Sequence, residues 1–207
     1  MYNAGHRETA QVRVGGSDSK PHGNFLVSEF SVRMILNLGE FLTVQDFFNI
    51  VLGAKVTAHY NTNATSLDGL IDEFGADKIQ KVQADLGNED EVVRMFGEIV
   101  LSGRFGIVQV IIVNHAIYVE EDVPMVQMSL GQWNKTINAN LTSSFLVIKQ
   151  YLLWLAGLEE EWRGLKDEAA IVLVGSTAGK YGKAGHADYS ATKSGKTVVS
   201  DDSAGWS

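Results

Sequence analysis

The chain has 207 residues, 45% of them apolar and 20% charged, enough for one compact domain with its own core and too balanced for extensive disorder. Seventeen basic residues against 25 acidic ones leave a net charge of −8 with no dense Lys/Arg stripe, a field that repels phosphate backbones and anionic lipid and argues against nucleic acid or membrane surfaces as partners. There is no cysteine, hence no disulfide, thiolate metal site or thiol catalysis, and neither a signal-like start nor an apolar run of the roughly 18 residues a span needs, so the chain reads as cytoplasmic.

The first fifty residues carry the weakest signals. VRVGGSDSKPHG, residues 12–23, reads as one short strand and a loop, and residues 31–53 are apolar without a single clean period. From Gly53 onward, short runs rich in Val and Ile alternate with helical patterns, the rhythm of βαβ units and a parallel sheet covered on both faces. AKVTAHY (54–60) is the first such run, and QADL places Asp85 just after a further strand. Asn88 precedes Glu89, Asp90 and Glu91, an N-cap and a dipole-complementing acidic turn that open a helix carrying Val92, Met95, Phe96 and Ile99. GIVQVIIVN (106–114) follows as a strand buried on both faces.

Residues 129–158 read as one long helix, with Trp133, Ile137, Leu141, Phe145, Ile148, Leu152 and Leu155 at helical spacing and Ser129 with Gln132 as a capping box. Asn140 falls beside that stripe. AAIVLVGS (169–176) is the third buried strand, and a helix carrying Tyr189 and Lys193 follows. The end, 196–207, starts like a helix and passes into small polar residues, an irregular tail. No repeat or linker divides the sequence, so 1–207 reads as a single domain.

Tyr189 and Lys193 are four residues apart, which puts both on one helix face and lets the ammonium favour the phenolate. Ser176 ends the preceding strand, where open α/β sheets bind ligands, and offers a hydroxyl to the same substrate oxygen. Each alone has a plainer reading, as a half-buried aromatic, a solvated lysine and a helix cap. Of the six tyrosines, however, only Tyr189 has a lysine four residues later and a serine thirteen residues earlier.

On these residues the chain resembles the short-chain dehydrogenase/reductase family, whose signature is Ser and Tyr-x-x-x-Lys at this spacing after the fifth strand. The resemblance spans about Gly53 to Ser194. It implies an α/β fold, a Rossmann-like three-layer sandwich with a mostly parallel sheet, and NAD(P)-dependent interconversion of a carbonyl and a secondary alcohol on a small-molecule substrate. In that scheme Tyr189 is the general acid/base, Lys193 lowers its pKa and holds the nicotinamide ribose, Ser176 orients the carbonyl, and Asn140 in NANLT anchors a proton-relay water. Asp85 falls where the family contacts adenine. Asn114 and Ala116 in VNHAIY match the Asn-Asn-Ala-Gly that ends strand four, while His115 and Ile117 depart from it, His115 reading as a hydrogen-bonded structural residue. AHYNTN lacks the acid that would bond an adenosine ribose, which favours NADP(H) over NAD(H). No His/Asp/Glu cluster has metal-ligand spacing, and no metal is expected. The helices that match those of Asn140 and Tyr189 pack between subunits in the family, which implies a homo-oligomer.

Two parts depart from the pattern. The family's pyrophosphate-binding turn needs three spaced glycines, and the nearest candidates for that contact, Gly15 and Gly16 in GGSDSKPHG, are followed by Ser19 and Pro21 or by Lys20 and His22 where the other two belong. The family also adds two strands after the Lys193 helix, whereas 14 residues follow here, so the sheet is expected to be incomplete at its C-terminal edge, with an exposed strand. The alternative to an active oxidoreductase is therefore a degenerate member without catalytic activity, acting if at all as an interaction partner.

Overall fold

The computed structural model describes residues 12–15, 33–37, 54–159 and 169–203, by backbone alone in 12–15, 33–37 and 197–203. Six strands form one sheet: β1 (Val12–Gly15), β2 (Arg33–Asn37), β3 (Lys55–Tyr60), β4 (Ile79–Gln83), β5 (Val110–Val113) and β6 (Ala170–Val174). Their order is β1-β6-β5-β2-β3-β4. All neighbours are parallel except β1, which runs antiparallel to β6.

Two helical layers explain why the strands lack polar alternation. On one face α1 (Thr65–Phe74) packs Leu67 against Val56, Ala58, Ile79, Ile112 and Val174. The other face is covered by α2 (Glu89–Ser102) and α4 (Ser143–Ala156), whose Val92, Met95, Phe96, Leu146, Val147, Ile148 and Tyr151 meet Val82, Ile111, Val113 and Leu173. The start of α2 is set by Asn88, whose side-chain oxygen accepts from the amides of Asp90 and Glu91 at 3.0 and 3.4 Å. All four apolar positions expected to be buried on α2 are buried.

The long helix expected over 129–158 is broken. Its first part, α3 (Leu130–Ile137), passes through one π-helical turn, Asn138–Thr142, before α4 begins. The extra residue of a π turn rotates the following helix, so the inward face of α4 is Leu146, Val147, Ile148, Tyr151 and Leu155, while Phe145 is half exposed. The capping box is only half made. Ser129 Oγ accepts from Gln132 N at 3.0 Å, but the Gln132 side chain donates to Asp188 instead of returning to the cap.

Three further features go beyond the sequence reading. Residues 33–37 are a strand at the centre of the sheet, between β5 and β3. The sheet is not closed, and at the β6 side β1 pairs along the strand antiparallel, from Val12 opposite Val174 to Gly15 opposite Ile171. Helix α6 continues from Ala187 to Ser203, past the point where an irregular tail was expected. Among the described residues no helix is long and apolar enough to cross a membrane.

Candidate active site

Because β2, β5 and β6 are parallel neighbours, their C-terminal ends form one edge, and the order reverses at β2, from which the chain runs outward to β3 and β4 and then returns to β5. Such a switch point is where open α/β sheets leave a crevice for ligands. The loop after β5 carries Asn114 and Ala116 to this edge, the loop after β6 carries Ser176, and α6 brings Tyr189 and Lys193 across. Asp85, exposed, leaves β4 at the same end of the sheet and accepts from Gly87 N at 2.9 Å.

Tyr189 and Lys193 are both buried, with the Lys193 Nζ 5.6 Å from the Tyr189 ring centroid and donating to the Val174 carbonyl at 3.1 Å. An ammonium held over a phenol ring in a poorly hydrated place acts on the hydroxyl more strongly than it would in water. Ser176 caps the short helix α5 (Thr177–Tyr181) by accepting from Ala178 N at 3.1 Å. Helix α5 then passes α6 so closely that a Cβ on Gly179 would lie 2.7 Å from the Lys193 carbonyl carbon. Glycine at 179 therefore sets how near Ser176 and Lys193 stand.

Asn140 lies inside the π turn and is fully buried. Its Oδ1 accepts from Ile117 N at 2.7 Å, and its Nδ2 donates to Ile117 O at 2.9 Å and to Thr192 Oγ1 at 3.3 Å. Thr192 Oγ1 in turn donates to the Tyr189 carbonyl at 2.7 Å. One side chain thus joins the loop after β5 to the helix of Tyr189. The side chain of Asn140 is engaged by protein groups, so its observed work is to hold these two segments in register.

Gly15 is not in this group. Strand β1 is antiparallel and Gly15 sits opposite Ile171, near the start of β6, at the far end of the sheet from Ser176. Gly16 lies outside the described residues. Topology places the turn that would receive a pyrophosphate after β2, beyond Asn37. Residues 38–53 there are also outside the described ones.

Sequence inspection did not single out several residues that complete the site. Asp188 is buried and accepts from Tyr189 N, Thr136 Oγ1 and Gln132 Nε2, tying the first turn of α6 to α3; its signal was an acid at a helix start. Tyr118 stands edge-on to Tyr189, ring centroids 5.0 Å apart, and its hydroxyl lies 2.7 Å from His186 Nε2. The same nitrogen lies 2.7 Å from Asp122 Oδ1; a carboxylate only accepts, so Nε2 carries the proton. Val123 N also donates to Gly185 O at 2.9 Å, so the loop after β5 and the loop before α6 move as one wall beside Tyr189.

His115 is the structural residue expected. Ser143 Oγ gives its one proton to Ala139 O at 2.7 Å, so the His115 Nε2 must donate to Ser143. Burial first, and then Lys196, His59 and Lys193, push the His115 pKa well below the ordinary histidine value, and burial lowers that of His59, whose Nε2 donates to Ala84 O at 2.7 Å. Both are neutral in the fold but take up protons when unfolded. Stability is therefore present above the unfolded value near 6.5 and lost as pH falls from there toward the depressed folded values. Urea unfolding at pH 7 to 5 should show stability falling with pH at a slope of up to ~1.4 kcal/mol per pH unit for each ring that stays neutral. His115→Asn should reduce it by about half; a flat profile over this range would show that the two rings are not held neutral.

Comparison with known proteins agrees with this arrangement. The family model for short chain dehydrogenases matches residues 49–204. A 3-oxoacyl-(acyl-carrier-protein) reductase of Synechocystis is 31% identical over 158 residues, 72% of this chain and 58% of the relative, and one from Staphylococcus epidermidis is 27% identical over 69% of this chain and 54% of the relative. The chain thus spans little more than half the length of these relatives. Among solved structures, one titled a short-chain dehydrogenase/reductase, glucose/ribitol dehydrogenase, from Brucella melitensis has a TM-score of 0.65 at 23% identity, covering 82% of this chain and 67% of that one. A serine dehydrogenase from Escherichia coli has a TM-score of 0.68 at 21% identity, covering 82% and 73%. These two show the fold.

Proposed function

Since the chain belongs to the short-chain dehydrogenase family, we propose that it transfers hydride between a nicotinamide dinucleotide and a carbonyl or secondary alcohol, with Tyr189 as the proton donor or acceptor. The observation that carries this reading is the buried Tyr189–Lys193 pair at the C-terminal edge of the sheet, with Ser176 at the exit of β6. Bound there, the nicotinamide supplies or accepts the hydride. Lys193 holds the ribose hydroxyls and keeps the Tyr189 phenol ready to exchange a proton, Ser176 orients the substrate oxygen, and the 114–117 segment and Asp85 line the remainder of the dinucleotide.

The described residues fit the nicotinamide end of such a cofactor: Tyr189 and Lys193 are buried donors on α6, beside a segment after β5 that Asn140 holds in place. NADP(H) is the preferred form, because the turn after β3 is Asn61, Thr62 and Asn63, with no carboxylate to bond the 2′-hydroxyl or repel a 2′-phosphate. The relatives' names make a 3-oxoacyl thioester the first carbonyl to try. Half-exposed Val93 and Val100 of α2 and Phe145 and Leu153 of α4 fit association with a second copy.

Titration of the chain with NADPH and NADH, followed by nucleotide fluorescence, tests the reading. NADPH should bind about tenfold more tightly, a difference of ~1.4 kcal/mol. Equal affinities would remove the NADP preference, and no saturable binding of either by a folded chain would remove the enzyme reading.

A further inference from the structure

Helix α6 carries a second buried lysine, Lys196, which the chemistry above does not use. It is 1% exposed, and its Nζ donates to the His115 carbonyl at 3.0 Å. Burial, reinforced by the Lys193 charge, pushes its pKa well below the ordinary lysine range. As packing this is a poor choice. An aliphatic side chain would fill the space without giving up ammonium hydration or a proton, and breaches of this kind concentrate at functional sites.

The partner of Lys196 is informative. The carbonyl belongs to His115, between Asn114 and Ala116, in the segment that leads from β5 to Ile117. Lys193, one turn earlier on the same helix, makes the equivalent bond to Val174 O at the end of β6. Two lysines three residues apart thus hold the C-terminal ends of adjacent parallel strands against one helix. Asn140 grips the same segment from the π turn between α3 and α4 at Ile117, so Lys196 supplies its second anchor.

We propose that Lys196 is a positioning residue: through the His115 carbonyl it fixes the 114–117 segment on α6 and so sets the cofactor-facing backbone relative to Tyr189 and Lys193. That the segment faces a dinucleotide rests on the function proposed above; the clamp itself does not. Among the described residues, the titratable groups facing the Lys196 amine are Lys193 on its own helix and the neutral His115 on the strand exit.

Lys196→Met and Lys196→Gln are each one bond shorter than lysine, and the first removes the donor while the second keeps an N–H. Hydrogen exchange of the 114–117 amides, thermal melting and NADPH titration on both variants and the parent chain decide the matter. In Lys196→Met the melting temperature should stay or rise, exchange at 114–117 should quicken by about tenfold and the NADPH Kd should rise by about the same factor, the scale of one lost hydrogen bond. Lys196→Gln should recover most of both losses. Unchanged exchange in Lys196→Met would overturn the clamp, and so would exchange that quickens across the whole sheet, which would make Lys196 a packing residue only. Were the parent chain to bind neither nucleotide, the proposed function would fail while the exchange comparison still decided the clamp.

Discussion

Tyr189→Phe should lower turnover of NADPH with a carbonyl substrate by about 10² to 10⁴-fold, the range for losing a positioned general acid, while the nucleotide Kd stays within about twofold. The substitution is clean because everything except the hydroxyl has another reason to stay. The ring is wedged edge-on against Tyr118 at 5.0 Å, a contact of the ring that phenylalanine keeps. Lys193 remains tied to Val174 O, and Asp188 still accepts the backbone amide of residue 189, so neither Lys193 nor the start of α6 should shift. A loss confined to kcat would locate the proton step at this hydroxyl; turnover that survives within about threefold would assign the proton to another group. The nearest rival is the Tyr118 hydroxyl, 2.7 Å from His186 Nε2 and linked through it to the exposed Asp122. Tyr118→Phe under the same conditions separates the two, since it should change substrate affinity more than kcat.

Local signals in the sequence were legible where one side chain meets its own backbone, and less so where distant segments choose each other. Asn88 before three acids and Ser129 before Gln132 are complete within a turn, and both cap as expected. Gln132 goes to Asp188 instead of closing the box, because a partner 56 residues away does not appear in a local pattern. RMILN, residues 33–37, was unreadable as a strand for a physical reason: a five-residue central strand is apolar on both faces and has the same composition as a buried piece of helix. VRVG was readable as a strand, but not its place beside β6, so Gly15 was assigned to a cofactor contact although it sits at the opposite end of the sheet from Ser176. Tyr189, Lys193 and Ser176 stood out because chemistry needs those types at fixed spacing. Lys196 did not, since nothing local separates a lysine that faces water from one that faces the carbonyl of residue 115.

Asn140→Leu should destabilise the chain by roughly 3 kcal/mol, the scale for leaving buried peptide groups without partners. Leucine has nearly the shape of asparagine, so it fills the same space and isolates the polar loss. What is left behind is the Ile117 N–H and C=O, both facing an apolar branch, and a Thr192 hydroxyl deprived of its donor. For a domain of this size that corresponds to a fall in melting temperature of about 6 to 12 °C. Asn140→Asp discriminates further, because it restores the acceptor for Ile117 N but sets a second oxygen against Ile117 O; it should be at least as harmful at pH 7 and milder in acid, where a protonated carboxyl can donate. A fall of less than about 2 °C in Asn140→Leu would show that the π turn relaxes and finds Ile117 other partners. The larger expected fall would explain why the helix runs through an unfavourable π turn at residues 138–142. The rotation it introduces is what brings one amide within reach of both the strand exit and the helix of Tyr189, so the local cost is offset by the site it aligns.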